Sequence, residues 1–384
     1  MKYRPDIDGL RALAVVSVMI YHLEPRWLPG GFMGVDVFFV ISGFVVCASL
    51  AASEHTRLAG FVAEFYARRL ARIIPGLVAM LAVASVVSML IVPKTWDSTL
   101  NDQTAQYAYF GLSNVLLMAD TNKDVAASRA ELNPYAHTWS LGVEEQFYLF
   151  FPLACFFWVR ATSAGHRRGR VAMVALLGSA AALSLAASRW ATEVHPSASF
   201  YAITFRFWEL AAGALLFQLT ASRLTAVAES SSARRRLWPW VGLLTVAAGL
   251  FFAGVPYFPY PWALAAVAGT LLMIGGVNAP DHAVRRAFSD AGAVWIGKRS
   301  YSLYLWHFPV FVFLRWTVGL GGIATQVAAV STSVILALAS YRFIEVPARY
   351  SRALSNSLPM VRITCFLLVV LLGWTLSDAI AWRY

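Results

Sequence analysis

Charge, cysteine and hydrophilic stretches are all scarce in this chain. Asp, Glu, Lys and Arg make up only 13% of the 384 residues, against 59% hydrophobic residues. So small a charged fraction excludes a disordered chain and an ordinary soluble surface. The three cysteines, Cys47, Cys155 and Cys365, stand far apart in apolar runs without CxxC spacing. They fit neither a disulfide framework nor a metal site, so no metal is expected. Repeats and low-complexity linkers are absent, and no hydrophilic stretch is long enough for a second domain. The first apolar segment carries Arg11 and His22 and lacks a small-residue cleavage site, so no cleavable signal peptide is expected.

What is present is the pattern of an all-α, polytopic transmembrane helix bundle, with a positive mean hydropathy. Eleven spans are expected near 10–24, 32–51, 72–93, 141–160, 171–188, 199–218, 237–254, 261–278, 301–317, 322–342 and 362–380. A weaker run at 105–118 reads as a helix lying against the outer surface. With the N-terminus in the cytoplasm, 23 of the 31 Lys and Arg fall on the inner side and six on the outer, while Arg206 and Arg315 lie inside spans. That asymmetry fits the positive-inside rule, and the odd span number puts the C-terminus outside. The net charge of +11 then reflects anchoring to an anionic lipid bilayer rather than nucleic-acid binding. One long outer loop, about 94–138, holds Asp97, Asp102, Asp120, Asp124 and Glu131.

Ionisable residues inside spans are costly and point to function. Arg11 and His22 are eleven positions apart, about three turns plus 20°, so they share a helix face about 16 Å apart along the axis. A neutral histidine near neutral pH can accept a hydroxyl proton, although a hydrogen-bonded core histidine is the bland reading. Asp36 follows in GGFMGVDVFFVISGF, whose Gly30, Gly31, Gly34 and Gly43 permit close helix approach or an irregular backbone. HTWSLGVEEQFYLFFP places His137, Glu144 and Glu145 on the outer side, at the depth expected for His22. One glutamate could stabilise a protonated imidazole; an ordinary acid-rich span start is the alternative. Arg69 and Arg72, with Pro75 in the first turn of span 3, suit a phosphate at a helix N-terminus, or else simple inner anchoring. Arg206 and Glu209 read as a structural ion pair, His307 as structural, and Glu345 as the partner of a neighbouring arginine.

Taken together, inner arginines, a deep histidine and outer acids suit a phosphorylated carrier entering from the cytoplasm. The separation of Arg11 from His22 is on the scale of a pantetheine arm, so a thioester could lie near the imidazole while an acceptor hydroxyl approaches from outside.

At these residues the chain resembles the acyltransferase 3 family of membrane O-acyltransferases, of the O-antigen acetylase type. The resemblance covers roughly residues 3–350. It rests on RPDIDGLRALAVVSVMIYH with its Arg-x10-His spacing, GVDVFFVISGF, RRLARIIP, HTWSLGVEEQFYLFFP, SYSLYLWHFPV and YRFIEVPAR. It implies acyl-CoA, usually acetyl-CoA, as donor. The implied acceptor is a sugar hydroxyl of a surface polysaccharide or its lipid-linked glycolipid precursor, at the bacterial inner membrane. Arg11 and His22 match the essential Arg-x10-His motif, and Arg69 and Arg72 the arginine pair on the CoA side. A ten-span core over 1–350 is followed by an added span in 351–384, similar to the branch carrying a periplasmic SGNH hydrolase-like domain. A natural short form, a chain cut after the span and half of a split system all stay open. The rival classes are a secondary transporter, against which no inverted repeat is seen, and a non-catalytic membrane scaffold.

Overall fold

A computed structural model describes residues 3–91, 98–119, 131–221, 233–254, 258–276, 282–351, 354 and 357–382, apart from the side chains at 233–236 and 381–382. Several charges that bear on topology lie outside the described residues: Lys2, Lys94, Asp97, Asp120, Lys123, Asp124, Arg129, Arg223, Arg352 and Arg383.

In chain order the helices are α1 (Pro5–Leu23), α2 (Gly34–Ala51), α3 (Leu58–Ile91), α4 (Thr99–Ala108), α5 (Ser113–Ala119) and α6 (Trp139–Ser163). Then come α7 (Arg167–Val194), α8 (Pro196–Tyr201), α9 (Ile203–Ala221), α10 (Ala233–Phe252) and α11 (Trp262–Gly276). The chain continues through α12 (Ala283–Phe288), α13 (Ala291–Lys298), α14 (Ser300–Thr317), α15 (Ile323–Ser340), α16 (Val346–Tyr350) and α17 (Pro359–Trp382). Among the described residues there is no strand. Each of the eleven expected spans overlaps a helix, that at 199–218 being divided between α8 and α9, and among the described residues six helices are long and apolar enough to cross a membrane. The protein is an all-α, multi-pass membrane bundle.

The chain divides into two compact units. The first comprises Met1–Glu54 with Phe147–Ser300, the second His55–Gln146 with Tyr301–Tyr384.

In the first unit α1 begins with Pro5, which needs no amide partner, and with Asp6 and Asp8 at the positive end of the helix. Arg4 donates to Asp6 at 2.5 Å and to the Ile274 carbonyl at 3.1 Å. The helix stops at Leu23 because Glu24, preceding Pro25, is extended. α1 packs on α2, α12 and α13; α2 packs on α9 and α11, and α9 on α7. Lipid tails are as apolar as leucine, so close van der Waals contact rather than water release has to hold such helices together. Gly43 on α2 and Gly213 on α9 supply it: a β-carbon at either would collide with the backbone of the other helix, at Leu210 and Val40 respectively.

The second unit is built on α3, which packs lengthwise against α17. Glu64 accepts from Arg362 at 2.6 Å and from its own-helix neighbour Arg68 at 3.1 Å. Towards the other end of α17, Ser377 meets the Tyr109 hydroxyl at 2.8 Å, and Gln106 donates to Asp378 at 2.8 Å.

Two expectations need correction. α3 starts at Leu58, fourteen residues before the expected span, so Arg69 and Arg72 are not at a helix N-terminus and Pro75 lies in the helix interior. Charged Glu64, Arg68 and Arg69 lower the local hydropathy, but Phe61 and Phe65 are buried one turn apart and carry the helix through. The run at 105–118 is two helices, α4 and α5, parted at Gly111, whose φ of 66° is open to glycine at little cost.

Candidate functional site

α1 is unbroken from Arg11 to His22, so the sharing of one face argued from spacing holds on the backbone. Ala12, Ala14, Val15, Ser17 and Val18 between them are buried. The Arg11 side chain is 18% exposed, with the Asp8 carboxylate 3.7 Å from its guanidinium. Asp8 itself accepts from the Tyr3 hydroxyl at 2.7 Å. His22, half-buried, meets the edge of the Tyr21 ring at 5.4 Å. Aromatic contacts continue inward from there: Tyr21 to Phe32 at 5.1 Å, and Phe32 to Phe258 at 4.7 Å.

That aromatic path ends at a sealed charge cluster. The Arg206 guanidinium lies 4.9 Å from the centre of the Phe258 ring and within 6 Å of those of Phe39 and Phe200. It donates to Asp36 at 2.8 Å and lies 3.2 Å from Glu209, and all three side chains are fully buried. The expected Arg206–Glu209 pair is thus a triad that includes Asp36. Asp36 is committed to Arg206 rather than open to solvent, and its partner lies 170 residues away in sequence.

In the second unit, Arg69 rests over the Phe65 ring at 5.7 Å. Arg72, Glu144, Glu145 and Glu345 all lie in the electrostatic surroundings of Tyr301. Sequence alone places that arginine and those acids at opposite membrane faces. In the structure Arg72 sits about 21 Å along α3 at 1.5 Å per residue. Glu145 and Glu144 diverge as neighbours on a helix must, Glu145 lying against Gly111.

His137, buried just before α6, donates from Nε2 to the Leu305 carbonyl at 3.1 Å. Its ring stacks on Phe308 at 5.0 Å and lies 6.1 Å from His307. Burial, reinforced by His307, pushes its pKa well below the ordinary histidine value, so it is neutral at pH 7. Tyr304 donates to the His137 carbonyl at 2.9 Å and meets the Ser140 hydroxyl at 2.7 Å. Glu345 accepts from Ser302 at 2.5 Å and from Ser340 at 3.3 Å, with Arg349 and Arg72 as neighbouring positive charges. Two serine donors join the neighbouring arginine that was expected. Tyr301, Ser302 and Tyr304 are not singled out by the sequence. The hydroxyls interleaved in SYSLYLWHF were the available signal. Among the described residues no group of three His, Cys, Asp or Glu could hold a metal ion.

The candidates therefore fall into two sets. Arg11, His22 and Asp36 belong to the first unit, and Arg69, Arg72, Glu144 and Glu145 to the second.

Comparison with known proteins adds the rest. Residues 4–342 match the acyltransferase 3 sequence family, described as an acyltransferase domain. The peptidoglycan O-acetyltransferase OatA of Listeria monocytogenes is 31% identical over 365 residues, covering 91% of this chain and 56% of the relative. The O-acetyltransferase OatA of Staphylococcus aureus is 30% identical over 373 residues, covering 91% and 57%. The chain thus spans just over half the length of these curated relatives. No solved structure matches it. Helical architecture, the motif-bearing first helix and a match over most of the length agree: the chain belongs to the acyltransferase 3 family.

Proposed function

We propose that the chain is a membrane O-acetyltransferase that moves an acetyl group from acetyl-CoA to a sugar hydroxyl of a cell-surface glycan. The observation carrying this reading is α1: within the family-matched stretch, a single unbroken helix bears both Arg11 and His22. The names of the relatives, one of them a peptidoglycan O-acetyltransferase, support an O-acetyl transfer with a glycan acceptor.

In the proposed reaction the acceptor oxygen attacks the thioester carbonyl of the donor. His22 takes the hydroxyl proton, a C–O bond forms, the C–S bond breaks and CoA leaves as the thiolate. Arg11, Arg69 and Arg72 are assigned to the donor, guanidinium groups being suited to its phosphates. Asp36, Glu144 and Glu145 are carried as the acids of the site. Asp36, paired with Arg206 in the buried cluster, would support the site only by holding α2 against α9. The surplus of Lys and Arg on one side of the expected spans supports a bacterial cytoplasmic membrane with the N-terminus inside. An SGNH hydrolase-like domain outside the membrane is the proposed partner for delivery to the acceptor.

The test is transfer of radiolabelled acetyl from acetyl-CoA to peptidoglycan fragments in proteoliposomes, with wild type and His22→Ala compared. The variant should bind acetyl-CoA and lose transfer. Transfer at the wild-type rate in His22→Ala would overturn the mechanism.

A further inference from the structure

At Pro75 the α3 helix loses an amide hydrogen, so the Ala71 carbonyl has no helical partner and the turn is weakened. Two groups of the second unit, Tyr301 and Glu345, close on that turn. The Tyr301 hydroxyl donates to the Ile73 carbonyl at 2.6 Å. Gly76 faces Tyr301 and Glu345 so closely that a β-carbon there would stand 3.2 Å from each. Glu345 is held in turn by Ser302 and Ser340.

Glu345 reaches this place through a break in helical phase. Residues Tyr341–Glu345 form a π turn, whose extra residue rotates the helix beyond it. As a result Glu345 is buried while Arg342 and Phe343 beside it are exposed. Burying a carboxylate is costly unless hydrogen bonds and an opposite charge compensate. Two serine hydroxyls supply the bonds and Arg349 the larger opposite charge; Arg72, one turn before Gly76, adds to it and also lies in the electrostatic surroundings of Tyr301. A guanidinium kept for a phosphate loses less freedom on binding when it is already held.

We propose that Tyr301 and Glu345 are positioning residues for Arg72, fixing the proline turn of α3 and the guanidinium beside it for the phosphates of the donor. This rests on the reading of acetyl-CoA as donor. Tyr301 sets the backbone at Ile73, and Glu345 sets the charge that orients Arg72.

The experiment measures acetyl-CoA binding by calorimetry to the detergent-purified full chain. It compares wild type, Arg72→Ala, Tyr301→Phe, Glu345→Gln and the two double variants that contain Arg72→Ala. Tyr301→Phe and Glu345→Gln should each weaken binding about tenfold, as expected for loss of one well-aligned charged contact. Each double variant should bind no more weakly than Arg72→Ala alone, since the lost interaction runs through Arg72. Thermal midpoints, measured in parallel, should be additive for Tyr301→Phe with Arg72→Ala, since Tyr301 bonds the backbone, and should couple for Glu345→Gln with Arg72→Ala, since the arginine compensates the buried carboxylate. Glu345→Asp should recover part of the affinity. Wild-type affinity in both single variants, or additive losses in the doubles, would overturn the proposal while leaving the donor reading intact. Absence of binding by wild type would overturn the donor reading and this proposal with it.

Discussion

Arg206 donates to Asp36 at 2.8 Å from a position fully closed to solvent, with Glu209 at 3.2 Å on its other side. Two carboxylates around one guanidinium make removal of the cation far worse than removal of either acid. Arg206→Ala should destabilise the detergent-solubilised protein by about 3–5 kcal/mol, the cost of stranding buried charge. Asp36→Asn, which keeps a hydrogen-bonding oxygen, should cost much less. Size-exclusion profiles after graded heating would measure both, and equal losses would count against the triad as the source.

The arginines of α3 should act on donor affinity rather than on folding. Arg69→Ala with Arg72→Ala is expected to abolish saturable acetyl-CoA binding at micromolar concentration while leaving a monodisperse protein. Arg11→Ala should weaken binding as well. A double variant that binds normally would move the donor site away from α3.

Contact between α2 and α9 depends on the absence of two side chains. Gly43→Val should separate these helices and yield little folded protein, because no flexible side chain can give way where the Leu210 backbone stands. Gly178→Ala on α7, where nothing lies within 4 Å, is the control. It should be neutral or stabilising by up to about 1 kcal/mol through helix propensity. Yield and thermal midpoint of the two variants decide the point.

His137 gives the fold a sensitivity to acid. Its pKa is lowered by burial, so between the ordinary value near 6.5 and its folded value the unfolded chain binds the extra proton. The stability it contributes is therefore complete above pH 6.5 and falls as the pH drops below that. The thermal midpoint should decline from pH 7 to pH 5, and His137→Asn should flatten the decline even if it lowers the midpoint at pH 7. An unchanged slope would assign the acid sensitivity to other groups.

Apolar runs were enough to locate the long helices, because an apolar run of span length has few other outcomes. Arg11 and His22 were legible for the same reason, their relation being local to one helix. Arg206 with Glu209 was legible at i, i+3, but Asp36 was not, since nothing near Asp36 in sequence announces a partner 170 residues on. The start of α3 was hidden by Glu64, Arg68 and Arg69, which look like the end of a span when hydropathy alone is averaged. Their true setting depends on Phe61 and Phe65 and on the distant Arg362. The partners of Glu345 were hidden because a π turn shifts its direction, and no composition signal marks that turn.

The family-matched stretch ends at residue 342, inside the π turn of Tyr341–Glu345, while Arg362 and Ser377 fasten α17 to Glu64 and Tyr109 far upstream. A boundary drawn by sequence likeness thus passes through the middle of a structural joint. Cutting the chain at that boundary would remove the helix whose Arg362 and Ser377 hold Glu64 and Tyr109.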